Sequence, residues 1–213
     1  GNDIVGFGTK SKPKKLIGLD ISSVALKLSE KRAKLHGIDA KFNLLNENSA
    51  EIPLEDNSVD LIHCAGVLHH SPDLEPILTE FLRILRPNGS ARIMVYNRDS
   101  IWMHLHVSYE TKIVHGLYSD LTKEDAFART TDGPSCPIAI CYSPQDFLKI
   151  AANIGFNAQF LGSAISLFEL KNMENILNNF PKDSCWAQFL SRTYNHRYLV
   201  ICYSIGKPLE TII

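Results

Sequence analysis

Gly6-Phe7-Gly8 and Asp20 are the first residues in the chain whose types and spacing could do chemistry. Ile4–Val5 reads as the end of a buried strand, so the two glycines would turn with no side chain to block a ligand's approach to the backbone. Asp20 closes the next apolar run, where a carboxylate can accept hydrogen bonds from both hydroxyls of a ribose. A strand-end turn and a helix cap are the plainer explanations. The combination points to a nucleoside-bearing cofactor. Further along, Ala65-Gly66-Val67-Leu68-His69-His70 follows the most convincing buried strand, Val59–Cys64, at the edge where open α/β sheets place ligands. A histidine titrates near neutral pH and could take a proton from a hydroxyl or phenol; packing beneath a cofactor is the plainer role. His69, His70 and Tyr142 are the candidates for such a base. Tyr96, Asn97 and Arg98 end a later strand on the same edge, while Arg129, Asp132 and Tyr142 flank a Gly- and Pro-bearing loop, where structural roles are favoured. His104, His106 and His115 have no matching carboxylate or cysteine spacing, so no metal site is expected.

These residues must be positioned by alternating strands and helices, the pattern of parallel βαβ construction. Strands are predicted at Ile4–Val5, Leu16–Asp20, Ala40–Asn43, Val59–Cys64, Ala91–Tyr96, Phe156–Leu161 and Tyr198–Ser204. Ser22 caps a helix with apolar Val24, Ala25, Leu28 and Leu35, which Gly37 stops. Pro72 and Asp73 open another, with a stripe of Leu74, Ile77, Leu78, Phe81, Leu82 and Leu85. Arg86-Pro87-Asn88-Gly89 signals a turn. Ser143-Pro144-Gln145-Asp146 starts a helix that ends at Gly155. Residues 97–142, irregular and rich in aromatics and histidines, read as a cap. Only seven residues, Thr9 to Lys15, join the first two strands, whereas a parallel crossover needs about a dozen. Either the strands are not parallel neighbours or residues are missing there; the second is favoured.

Leu16 to Asn97 resembles the class I S-adenosylmethionine-dependent methyltransferases, in the broad group similar to quinone-biosynthesis methyltransferases. The matching words are LIGLDIS, NSAEIPLEDNSVDLIHCAGVLHH and LRILRPNGSARIMVYN. The resemblance implies Gly6 and Gly8 as the wall against the methionine part of the cofactor and Asp20 as the ribose ligand. Asn48, in place of the more usual aspartate, would hold the adenine amino group, with backbone contacts from Ser49. Ile21 and Ala65 complete the implied S-adenosyl-L-methionine contacts. Asp3 lies three residues before Gly6 where the family's acid lies two before, and Lys10 stands where a third glycine is common. The implied fold is α/β and doubly wound: a mostly parallel seven-stranded sheet with an antiparallel last strand and a helical cap insertion. One domain spans 1–213, with the cap at 97–142. The implied activity is methyl transfer to oxygen, nitrogen or activated carbon of a small molecule. A non-catalytic module on the same fold is the alternative; a nicotinamide oxidoreductase is weaker, because GxGxxG would require glycine where Ser11 stands.

The bulk properties restrict the partners. A 213-residue chain with 45% hydrophobic residues, formal charge -1 and isoelectric point near 6.8 suits a neutral small molecule better than nucleic acid. Lys10, Lys12, Lys14 and Lys15 read as a solvated loop. Five cysteines without CxxC pairs read as reduced thiols, Cys64 and Cys202 as buried hydrophobes. No run approaches the roughly 20 apolar residues of a membrane span, and no signal-peptide pattern opens the chain, so a cytoplasmic location is expected.

Overall fold

Capping chemistry sets the helix starts as the sequence predicts. The Ser22 hydroxyl accepts the Ala25 N–H at 3.2 Å, opening helix α2 (Ser23–Leu35), and the Ser143 hydroxyl accepts the Asp146 N–H at 3.1 Å ahead of α5 (Pro144–Ile154). Gly155 ends α5 at φ +110, in the left-handed region that favours glycine. The computed structural model describes residues 1–164, 167, 169–172 and 200–208, and divides into two units, Gly1–Glu55 and Asp56–Ile213.

In the first unit, β1 (Ile17–Asp20) and β2 (Lys41–Leu44) pair in parallel, with Asp20 opposite Leu44 and α2 as the crossover. Here the structure corrects the expected first strand. Residues Asn2–Gly6 form helix α1, continued by a wide helical turn over Phe7–Ser11. No strand precedes Thr9–Lys15, so no parallel crossover has to be made there. Helix α2 departs from the expected burial as well. Val24, Leu28 and Leu35 are exposed, and within the helix only Ala33 is buried, because a two-stranded ribbon offers too little surface to cover a 13-residue helix.

The second unit carries a five-stranded sheet. Its path is β3 (Val59–Ala65), β4 (Leu85–Asn97), β7 (Val200–Gly206), β6 (Asn157–Ala164), and β5 (Cys141–Tyr142) pairs with β4 off that path. Among the described residues the strands form two hydrogen-bonded sheets, of two and five strands. β3 runs parallel to β4, and β7 is antiparallel to both β4 and β6, as expected of a last strand. Of the predicted strand Tyr198–Ser204, Tyr198 and Leu199 lie outside the described residues, as does Cys185. The Arg86–Gly89 turn signal is realised as a bulge inside β4. Val59 pairs with Leu85 and Leu61 with Ser90, and Asn88 adopts φ +66 between them.

Helix α3 (Glu75–Ile84) buries Leu78, Phe81 and Ile84 against this unit, with Leu74 and Leu85 at its flanks. Phe147 of α5 is fully buried and stacks on Tyr203 of β7, ring centroids 3.9 Å apart. β3 is less buried than predicted, since Asp60, Leu61 and His63 are exposed along a sheet edge. The four described cysteines are free thiols; Cys141 is buried, whereas Cys64 and Cys202, expected inside, are half-buried. Replacing Phe147 by alanine removes the stacked ring and leaves a cavity, so the expected loss is about 3–5 kcal/mol. Ser143→Ala removes only a cap and is expected to cost about 1 kcal/mol. Urea unfolding of the two variants checks the ranking.

Candidate functional site

The first unit places Asp20 at the carboxyl end of β1, half-buried. Its Oδ1 accepts the Ser22 N–H at 2.8 Å, which orients the carboxylate and leaves Oδ2 for a ligand. Ile21 beside it is exposed. Asn48 and Ser49 are exposed in the turn after β2, yet the Ser49 N–H already bonds the Asn46 carbonyl at 3.2 Å, so it is not free for adenine. The glycine expectation fails. Gly6 has φ -56 and ψ -52, helical values, and a Cβ on Gly8 would fall 2.6 Å from Cγ2 of Ile38. The space a cofactor would need beside Gly8 is filled by this side chain.

In the second unit the parallel strands β3, β4 and β5 bring their carboxyl ends to one edge. β3 finishes at Ala65, opposite Met94. Gly66 then turns at φ +74 while its N–H donates to the Met94 carbonyl at 3.1 Å. Any side chain there would be strained. β5 pairs with Tyr96 and Asn97 on the flank β3 has left, since Tyr96 meets Val200 of β7 on the other side. The Ile140 N–H donates to the His69 carbonyl at 2.7 Å and the Arg98 N–H to the Tyr142 carbonyl at 3.0 Å, which stitches the edge together.

His69 is only 1% exposed, lies 3.7 Å from the Tyr96 ring in a stack, and its Nδ1 has no hydrogen-bond partner among the described residues. Burial, assisted by the neighbouring His70, pushes its pKa down to about 3, so the ring is neutral at physiological pH. His70 is exposed, with Nδ1 2.9 Å from the Ile138 carbonyl. Tyr142 is buried against Phe147, and burial pushes its hydroxyl up to about 12. It can donate a hydrogen bond but carries no charge. The structure therefore brings His69 and His70 together and turns Tyr142 toward the core.

Sequence reasoning missed the partnership of Tyr96 with Asp132. The Tyr96 hydroxyl donates to Asp132 Oδ1 at 2.7 Å, and burial followed by that carboxylate raises its pKa. Both residues had a sequence signal, strand end and loop, but no spacing rule links positions 36 apart. Arg98 forms an ion pair with Asp146 at 2.8 Å, and Arg129 is exposed on α4 (Lys123–Thr131). The cap histidines have their own local packing: the His106 ring lies tilted against Trp102 and bonds Glu110 within a wide helix, Trp102–Val114.

Comparison with known proteins adds a likeness in sequence and in fold. The family described as "Methyltransferase domain" matches residues 5–93. Demethylmenaquinone methyltransferase of Lactiplantibacillus plantarum is 33% identical over 77 residues, 36% of this chain and 32% of that protein. The ubiquinone/menaquinone biosynthesis C-methyltransferase UbiE of Shewanella halifaxensis is 25% identical over 107 residues, 49% of this chain and 43% of that protein. The chain thus spans about a third to under half the length of these curated relatives. Among solved structures, a SAM-dependent methyltransferase from Methanosarcina mazei covers 94% of the chain at TM-score 0.60 and 18% identity, with 85% of that chain covered. At that identity the likeness shows the fold, which is Rossmann-like. The matched segment contains Asp20, Asn48 and the histidine pair, while Tyr96, Asp132 and Tyr142 lie beyond it. For S-adenosylmethionine the fit is divided: the oriented carboxylate of Asp20 suits a ribose, whereas the helical Gly6–Gly8 stretch presents no turn to a methionine tail.

The neutral burial of His69 has a pH signature. Below its ordinary pKa of 6.5 the unfolded chain takes up a proton that the folded chain refuses until about pH 3, so stability falls as pH falls through that window. Between about pH 7.5 and about pH 5, the native protein is expected to lose about 2 kcal/mol more than His69→Phe. Urea unfolding of both proteins at the two pH values measures the difference; equal losses would contradict the neutral burial.

Proposed function

We propose that the chain transfers a methyl group from S-adenosylmethionine to a small-molecule acceptor at oxygen, nitrogen or activated carbon. The match of residues 5–93 to the methyltransferase domain family is the observation that carries this reading, and Asp20 at the end of β1 supports it chemically. The cofactor, when bound, supplies an electrophilic methyl group. The chain's own work is to hold the ribose through Asp20, orient the acceptor and exclude water. Ile21, Asn48, Ala65 and the carbonyl or hydroxyl of Ser49 are the other cofactor contacts we propose. Gly6 and Gly8 are left out of that set as long as they are helical.

Residues 97–142 act in this reading as the acceptor's cover. Trp102, Met103, Val107 and Phe127 pack together inside it, so it is a folded element with a core of its own. The relatives named for demethylmenaquinone make an aromatic acceptor the first to try. His70 is the candidate whose ring is open to such a molecule. His69, neutral and buried, and Tyr142, held protonated, would shape the edge rather than take a proton. A cytoplasmic location suits the free thiols, and no helix among the described residues is long and apolar enough to cross a membrane.

A second reading, a non-catalytic module on the same fold, is favoured by one observation: the helical Gly6–Gly8 stretch with Ile38 packed on Gly8. Calorimetric titration of the full chain with S-adenosylhomocysteine separates the two. Catalysis predicts binding near the micromolar range, about -8 kcal/mol. Asp20→Asn keeps an acceptor for the Ser22 N–H but removes the charge, and is expected to weaken binding about tenfold with little change in thermal unfolding. Absence of binding by the native chain would overturn the methyltransferase reading.

A further inference from the structure

One side-chain cluster in the second unit shares only His70 with the reading above. A ring nitrogen of His70, a carboxylate oxygen of Asp132 and Sγ of Cys136 all lie within 4.8 Å of one another. They come from three pieces of backbone: the helical turn after β3, the C-terminal cap of α4 and the loop that follows it. His70 and Asp132 are exposed and Cys136 is half-buried, so an ion in solvent can reach them. We propose that these three side chains bind a divalent cation of the zinc class.

The donor set argues for the class. Imidazole, thiolate and carboxylate are the three side-chain types that hold zinc, whereas magnesium and calcium take oxygen ligands. Zinc bonds of about 2.0–2.3 Å put tetrahedral ligand atoms about 3.5 Å apart, so closing from within 4.8 Å is a matter of side-chain rotation.

Each ligand is also held from behind. His70 Nδ1 lies 2.9 Å from the Ile138 carbonyl, which leaves the other ring nitrogen its lone pair. The Tyr96 hydroxyl donates to Asp132 Oδ1 at 2.7 Å, and the Cys136 thiol donates to the Ile138 carbonyl at 3.4 Å. Outer partners of this kind orient metal ligands before the ion arrives. On binding, the thiol proton passes to solvent and the sulfur coordinates as thiolate, so affinity rises with pH. Three protein ligands leave a fourth position for water or for an oxygen of a bound molecule, the open arrangement of non-structural zinc sites. No sequence rule suggests this, because His70 stands 62 positions before Asp132 and the remaining pair is spaced D-x-x-x-C. Coordination requires neither S-adenosylmethionine nor an acceptor, so the site stands or falls apart from the methyl-transfer reading.

The test is titration of the chelator-treated full chain with Co²⁺, followed by the near-ultraviolet thiolate-to-cobalt absorption and the visible bands of a tetrahedral ion. One equivalent is expected, displaced by Zn²⁺, which binds such sites more tightly. Cys136→Ser should abolish the thiolate band, His70→Gln and Asp132→Asn should weaken binding by more than about tenfold, and Tyr96→Phe by about tenfold. Cys64→Ser, which alters a free thiol elsewhere in the sheet, should leave the titration unchanged. Far-ultraviolet circular dichroism of each variant confirms that it is folded. No thiolate band in the native chain, or one that survives Cys136→Ser, overturns the proposal.

Discussion

The second unit depends on where β3 stops. β4 is longer than its parallel neighbour, and its last residues, Tyr96 and Asn97, need a partner on the flank that β3 vacates at Ala65. Gly66 makes that possible by turning the chain away at φ +74 while still donating its N–H to Met94. β5 then fills the vacated flank, tied down by the Ile140 N–H on the His69 carbonyl and the Arg98 N–H on the Tyr142 carbonyl. An unpaired backbone edge at this point would cost a few kcal/mol in lost hydrogen bonds. The replacement of one strand by another at the same flank is what assembles His69, His70, Tyr96, Asp132 and Cys136 into one neighbourhood.

Within that neighbourhood, burial divides the labour. His69 is enclosed and stacked on Tyr96, so it serves as a neutral wall; His70, one residue on, keeps its ring in solvent. Two adjacent histidines thus take opposite roles because a short helical turn, Leu68–His70, rotates them about the axis by roughly 120°. Tyr96 links the two environments: its ring packs on His69 and Phe127, and its hydroxyl reaches the exposed Asp132. The carboxylate fixes the tyrosine as a hydrogen-bond donor.

Local signals carried far in the sequence where local physics decides. Ser22, Ser143 and Gly155 cap helices because their side chains or left-handed φ satisfy groups within four residues. The runs predicted at Leu16–Asp20 and Val59–Cys64 fold as β1 and β3, the described part of Tyr198–Ser204 lies in β7, and the Leu78–Phe81 stripe found its core. Legibility failed where the outcome depended on distant partners. Ile4–Val5 is apolar and β-branched, yet four residues later the chain has no room for a crossover, and helix formation satisfies its backbone locally. The burial of α2 was misread for a related reason: periodicity reports which face is apolar but not whether a surface exists to cover it. Gly6 and Gly8 lost their expected role with the strand that should have preceded them. Asp20 kept its place because β1 and its capping bond are both local.

The strand order also sets the order in which the sheet can form. β6 pairs with β7, and β7 in turn completes the far side of β4 by pairing Ser90 with Gly206 through Tyr96 with Val200. Both ladders therefore wait for residues 200–206, more than a hundred positions after β4. As the chain emerges from the ribosome, β3 and β4 exist as a parallel pair with one open flank, and β6 is made before anything can hold it. Pairings of such long sequence separation close slowly because the loop entropy must be met first. A nascent chain with an apolar strand edge uncovered for that interval depends on avoiding like strands from neighbouring chains, and a ribosome stall between β6 and β7 would hold it at its most aggregation-prone point.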